Sequence, residues 1–371
     1  MPIGAMLRTA PPALARQAGP LHQRDMPSIR PLRQQTLSSA LLAALCGAWL
    51  IAMPSALRAQ GATASPADRA REVTPLAEGA WWLPGRFERG RQPDGNSVLL
   101  QGRDGLVLVD SGRHREHTDA LIEWARRRGQ PIRVVLNTHW HLDHLGGNVM
   151  LREAQPGIRT LASDAVRRAV AERMPRSADD LKRMLADPGT DAATRRMVEI
   201  DLALLERRTA LAPDEVVAEA PHEIAPAGRR LRVGVERGVS GGDLWVLDAA
   251  SGTLLVGDFV TLPVPFFDTA CAEEWLAALK RLDALPFERV VPGHGPVMDR
   301  HTFRGYVRAF GRLVDCAASE RAVAACASGW AEDLGPLLPA PSRRGAEAML
   351  GHYFEAVLRA PSAQRRRFCA P

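Results

Sequence analysis

The chain has 371 residues, 46% of them apolar and 24% charged, a balance that fits a globular protein with one large or two moderate cores and excludes a disordered or fibrous chain. Its formal charge of +6 comes mostly from arginines, but these are scattered at 126–128, 229–230, 343–344 and 365–367 rather than gathered into one arm. With two tyrosines and nine phenylalanines there is no interleaving of aromatic and basic residues to stack bases, so nucleic acid is not an expected partner.

In chain order, residues 1–60 form an N-terminal extension. Arg24, Arg30 and Arg33 lead into the apolar run 37–53, which is broken by Pro54 and followed by small residues near Ala59. That is the pattern of a secretory signal peptide, with Met26 as a candidate true start. The run is at the short limit for a bilayer span, so no stable span is expected after processing. Leu45 is too bulky to precede a lipidated Cys46. Four cysteines follow, Cys271, Cys316, Cys326 and Cys369, an even number suited to one or two disulfides in an oxidising compartment. Cys316 and Cys326 are close enough to clip a helix–helix turn, and buried free thiols are the alternative.

"WWLPG" (81–85), "NSVLLQG" (96–102) and "GLVLVDSG" (105–112) read as an opening β-meander, with a tight turn at 103–105. "HTDALIEWARRRG" (117–129) has helical apolar spacing and a glycine stop, and "IRVVLNT" (132–138) is a strand. Residues 160–212 read as a helical insertion. Strands return over 229–239, 242–248 and 253–260, followed by a helix over 271–285, a strand over 289–296 and a helical tail over 301–371. The predicted organisation is a main domain over 61–300, interrupted by the insertion, with the tail packed on the same domain. No internal repeat or low-complexity segment is present.

The strand 132–138 ends in "THWHLDHLGGN" (138–148), which places four metal donors, His139, His141, Asp143 and His144, in six positions. Residues two apart on an extended segment point the same way, so His139 and His141 can grip one cation while Asp143 and His144 turn toward a neighbouring one. Imidazole and carboxylate without thiolate suit zinc, and iron or manganese accept the same donors.

"HWHLDH" resembles the HxHxDH signature of the metallo-β-lactamase-fold hydrolases, and "VLVDSG", "GDFV" and "VVPGHG" stand in the order that family uses. The resemblance implies an α/β architecture, an αββα four-layer sandwich with a dinuclear metal site at one edge. It assigns one metal to His139 and His141, the other to Asp143, His144 and His294, and a bridging role to Asp258. It makes Asp143 and Asp258 the residues that orient an activated water and move protons. Asp110 is either an acceptor behind a ligand imidazole or a turn former at the strand end.

A carboxylate at 258 is similar to the glyoxalase II, phosphodiesterase and sulfur-hydrolase branches and argues against a lactam substrate. The family's remaining histidine falls at Val239, so the first metal loses a donor that Glu236, His222 or Ser240 could replace. The resemblance therefore implies one or two zinc ions and a metal-dependent hydrolase of an ester, thioester or related small-molecule bond in the periplasm or outside the cell. Export and "GDLWVLD" with "VVPGHGPV" are most similar to the periplasmic quinoprotein relay metallohydrolases, with a quinoprotein system as partner. The alternatives are a lactamase or lactonase, and a non-enzymatic metal-binding accessory protein with a degraded first site. Phe266 and Phe267 either wall the pocket or pack in the core.

Overall fold

A computed structural model describes residues 65–88, 90–361 and 364–365. The expected leader, Met26, Cys46 and Cys369 lie outside these residues. Two sheets form the centre. The first holds β1 (Thr74–Ala77), β2 (Ala80–Leu83), β3 (Ser97–Gly102), β4 (Gly105–Val109), β5 (Ile132–Leu136), β6 (Arg159–Ala162) and β7 (Glu215–Val216) in sequence order. It is antiparallel from β1 to β4 and parallel from β4 to β7. The second holds β8 (His222–Ile224), β9 (Leu231–Glu236), β10 (Asp243–Asp248), β11 (Thr253–Thr261), β12 (Arg289–His294) and β13 (Met298–Asp299), with β11 and β12 as its one parallel pair.

The period of two in a strand explains the layers. Val98, Leu100, Val107 and Val109 face one way and meet Val233, Leu244, Val246 and Leu255 of the second sheet, forming the core between the sheets. Their neighbours Leu99, Leu106 and Leu108 face the other way, against Ala120, Leu121 and Trp124 of α1 (Arg115–Arg127). Between β5 and β7 the chain adds α2 (Asn148–Ala154), α3 (Met174–Ala186) and α4 (Ala192–Glu206). The outer face of the second sheet is covered by α5 (Ala272–Asp283), α6 (Arg300–Ala317), α7 (Val323–Leu334) and α8 (Ala340–Tyr353). This is the αββα sandwich.

One expectation needs correction. The stretch 160–212 is not wholly helical: it begins with β6, which extends the parallel sheet beside β5 and is too short to carry a periodic signal. The tail is helical, in three successive pieces. Its Trp330, Leu350 and Phe354 are buried in one apolar cluster with Phe259, Trp275 and Phe303, and the Trp330 indole donates to the Pro263 carbonyl at 3.0 Å. Phe267 is fully buried in that cluster, so it is core rather than pocket wall, while Phe266 lies edge-on to Tyr353.

Cys316 and Cys326 form a disulfide across the α6–α7 turn, and Cys271 is also disulfide-bonded. Closing a ten-residue separation restricts the unfolded chain by about 2–3 kcal/mol. The double variant Cys316→Ser/Cys326→Ser is expected to unfold at a temperature several degrees lower. An unchanged melting temperature would show that the clip does not constrain the unfolded chain.

Candidate metal centre

The centre lies where strands end. Asp110 follows β4, Thr138 and His139 follow β5, Asp258 sits within β11, and His294 closes β12. The two edges are stitched together: the Leu244 amide donates to the Thr138 carbonyl at 2.7 Å, and the Asn96 amide to the Gly293 carbonyl at 2.8 Å. After His141 the chain makes one helical turn, Leu142–Leu145, which swings Asp143 and His144 to the far side of the cluster.

The donors fall into two groups, His139, His141 and Asp258 in one and Asp143, His144 and His294 in the other, with the donor atoms of each within 4.8 Å of one another. Asp258 faces both. Its Oδ2 is 3.6 Å from His139 Nε2, while its Oδ1 is 3.1 Å from His144 Nε2 and 3.5 Å from His294 Nε2. Asp143 Oδ2 lies 3.0 Å from His294 Nε2, so donors far apart in the chain do meet.

Hydrogen-bond bookkeeping decides which ring nitrogens face inward. Thr138 Oγ1 donates to Asp110 Oδ2 at 2.8 Å and so accepts from His139 Nδ1 at 3.0 Å, which leaves a lone pair on His139 Nε2. Thr269 Oγ1 donates to the Val239 carbonyl at 2.9 Å and so accepts from His141 Nε2 at 3.0 Å, which leaves a lone pair on His141 Nδ1. These two nitrogens face each other at 2.9 Å. Two lone pairs at that separation repel unless a cation lies against both. His144 Nδ1 donates to Asp110 Oδ2 at 2.8 Å, turning its Nε2 toward His294 Nε2 at 3.3 Å. Asp258 Oδ1 is buried without a hydrogen-bond partner among the described residues. A divalent cation would take the facing lone pairs of His139 and His141 and replace the proton that the neighbouring carboxylates favour on His144.

The charges agree. Burial, reinforced by His144 and His141, holds His139 well below the usual imidazole range, and burial brings His141 down to about 3. Burial opposes charge on His144 too, but the carboxylates of Asp258, Asp143 and Asp110 outweigh it and push that imidazole well above its usual range. For Asp143, burial is outweighed by His144, His294 and Arg113, which hold the carboxyl well below the ordinary range. Asp258 is lowered in the same way, chiefly by His144 and His294 against its burial.

Asp110 is thus an acceptor behind a ligand imidazole; it also caps the Thr138 amide at 2.8 Å, and it holds a left-handed backbone (φ 58°) to do so. Val239 is buried and gives only backbone: its amide donates to Asp243 at 3.0 Å and its carbonyl receives Thr269. None of the candidate replacements joins either group. Glu236 pairs with Arg281, His222 Nδ1 bonds the Ala220 carbonyl, and Ser240 donates to Asp243. Burial raises Asp243 to about 7.

Several residues escape a reading of the sequence. Thr138 and Thr269 carry no motif. Arg113 reaches Asp143 Oδ1 at 3.4 Å and is itself held by Asp201 of α4 at 2.7 Å. Asn96 binds the carbonyls of Pro292 and Gly295 through its side chain at 2.9 Å each, and the Gly95 amide binds the Asp143 carbonyl at 2.9 Å. A Cβ at Gly95 would come within 2.4 Å of the His144 ring, and one at Gly293 within 2.0 Å of Asp258 Oδ1. The signals are single glycines and polar residues in connections, which have no periodicity to reveal them.

The family model of the metallo-beta-lactamase superfamily matches residues 90–294. A metallo-beta-lactamase family protein from Thermus thermophilus superposes with a TM-score of 0.52 at 20% identity, covering 76% of this chain and 94% of that one. A metallo-beta-lactamase from Pontibacter korlensis superposes with a TM-score of 0.48 at 22% identity, covering 65% of this chain and 98% of that one.

The hydrogen bonds and the charges each generate a test. Thr269→Val removes the acceptor that fixes the His141 tautomer and is expected to weaken the first zinc ion about tenfold or more, measured by chelator competition, with Thr269→Ser restoring it. Equal zinc affinity in all three proteins would remove Thr269 from the centre. The carboxylates of Asp258, Asp143 and Asp110 favour a proton on His144 that a cation must displace, whereas burial disfavours one on His139 and His141. Zinc binding to the Asp143 group should therefore release a proton and tighten as pH rises, and binding to the His139 group should be nearly flat between about pH 5 and 8. Calorimetry in two buffers of different ionisation enthalpy reads this, and equal proton release by both ions would contradict it.

Proposed function

The chain belongs to the metallo-beta-lactamase superfamily, and on that premise we propose that it is a zinc-dependent hydrolase of an ester, thioester or related small-molecule bond. The observation that carries the reading is the inward convergence of ring nitrogens from His139, His141, His144 and His294 around Asp258 and Asp143. Zinc held by this donor set supplies a Lewis acid and lowers the pKa of a bound water toward neutrality.

The protein's own residues do the rest. Asp258 turns one oxygen toward each group and holds the two halves in register. Asp143 has Oδ1 occupied by Arg113 and Oδ2 aimed at the centre, where it can orient a water and take up its proton. Burial of Asp143, His144, Asp258 and His294 keeps the local dielectric low, which strengthens stabilisation of a developing oxyanion. Two aromatic side chains flank the groups: Trp140 lies edge-on to His141 with centroids 4.5 Å apart, and the exposed Phe87 lies edge-on to His294 at 6.4 Å.

The carboxylate at 258 favours esters and thioesters over lactams, with a lactamase or lactonase as the alternative activity. With three protein donors in the first group, an accessory metal-binding role is the non-enzymatic alternative. Placement outside the cytoplasm is supported by the leader pattern and the Cys316–Cys326 disulfide; no helix among the described residues is long and apolar enough to cross a membrane. The link to a periplasmic quinoprotein system rests on the sequence resemblance alone.

Protein purified without chelator is expected to hold one to two equivalents of zinc and to hydrolyse thioesters and aryl esters in preference to nitrocefin and homoserine lactones. His294→Ala should lower kcat/KM by about a hundredfold or more. Absence of bound metal and of all four activities would overturn the reading; turnover of nitrocefin alone would replace it with the lactamase.

A further inference from the structure

Arg173 belongs to the insertion and has no place in the metal centre. The helix following β6 widens into a π-turn over Ala169–Arg173 before continuing as α3. The local cause is Pro175, which has no amide to give the preceding turn and whose ring crowds it. Such widened turns occur often where a side chain is aimed at a site. Here the turn sends the Arg173 guanidinium over the Trp140 ring, 4.6 Å from its centroid.

Trp140 is not an independent surface residue. It stands between His139 and His141 in the chain, and both neighbours have their rings fixed by Thr138 and Thr269. The Trp140 ring meets the His141 ring at 4.5 Å. A guanidinium stacked on Trp140 is therefore held beside the first metal group by the same backbone that presents the ligands. Arg173 is exposed, and no acid of the described residues forms an ion pair with it. Its charge is disfavoured chiefly by the dense surroundings of the guanidinium and then by Arg176, and is favoured by Asp268. Asp268 is itself occupied by the Tyr353 hydroxyl at 2.7 Å.

A cation without an ion-pair partner among the described residues, stacked on an aromatic ring beside the His139 group, is prepared to receive an anion. Stacking leaves the edge of the guanidinium free for a bidentate contact with a carboxylate. We propose that Arg173 is a specificity-determining residue that binds a carboxylate on the substrate, so that the natural substrate is an anionic ester or thioester whose acid group lies over Trp140. This rests on the hydrolase reading above.

The test compares 4-nitrophenyl hemisuccinate with its neutral methyl-capped counterpart on the zinc-loaded full protein. The unmodified enzyme is expected to favour the charged ester. Arg173→Glu should lower the ratio of the two kcat/KM values by about tenfold to a hundredfold, chiefly through KM for the charged ester, and Arg173→Lys should retain part of the preference. Because the ratio is internal to each variant, partial misfolding does not mimic the effect. An unchanged ratio in Arg173→Glu overturns the proposal and leaves the hydrolase standing. Should neither ester be hydrolysed, calorimetry with succinate decides: affinity weakened about tenfold in Arg173→Glu supports the anion site, and equal affinity overturns it. In that case it is the hydrolase reading that the turnover assay has failed.

Discussion

Buried negative charge that only a cation can balance is the constraint around which this molecule is arranged. Asp110, Asp143 and Asp258 are all nearly inaccessible to solvent, and a carboxylate in such a place is costly unless it is paired and hydrogen-bonded. Asp110 meets the demand by accepting from Thr138 twice and from His144 once. Asp143 has Arg113 on one oxygen. Asp258 Oδ1 is faced among the described residues by imidazole nitrogens, His144 Nε2 at 3.1 Å and His294 Nε2 at 3.5 Å. Without a cation the proton on His144 is a partial substitute; two divalent ions would satisfy every inward atom.

The fold delivers these groups by topology. Two of the parallel strand pairs, β4 with β5 and β11 with β12, carry the site residues at or near their carboxyl ends, and carboxyl ends of parallel strands are where side chains from separate segments can converge. The apolar core between the sheets fixes the separation of the two edges, while the α6–α8 tail packs beneath the connection 262–271. That connection carries Thr269. A tail distant from the centre in sequence thus reaches it through one hydroxyl, which sets the tautomer of His141. The Val239 segment, where the family's remaining histidine would fall, contributes to the same contact through its carbonyl.

What could be read from the sequence has a periodic or compact signature. The strands β3, β4 and β5, the helix α1 and the His-Asp cluster announce themselves through alternation, helical spacing and local donor density, and the order of "VLVDSG", "GDFV" and "VVPGHG" placed Asp258 and His294 beside the cluster. What could not be read depends on long-range polar contacts. The strand β6 is four residues long and was absorbed into the helical pattern after it. Thr138, Thr269 and Asn96 act through hydrogen bonds to residues far away in the chain, and Arg113 was one arginine among many until Asp201 and Asp143 closed on it. The replacement donors suggested for Val239 failed for a related reason, since spacing cannot say which way a side chain points.

The helical insertion touches both halves of the centre without giving a ligand to either. Through α4 it places Asp201 on Arg113, which steadies Asp143 in the second group. Through the π-turn it lays Arg173 on Trp140, which borders the first. The donors sit on strand ends and short loops whose positions are dictated by sheet pairing, so they tolerate little change. The insertion reaches them through β6, whose Leu161 carbonyl receives the Asn137 amide beside Thr138, and through the side chains of Asp201 and Arg173.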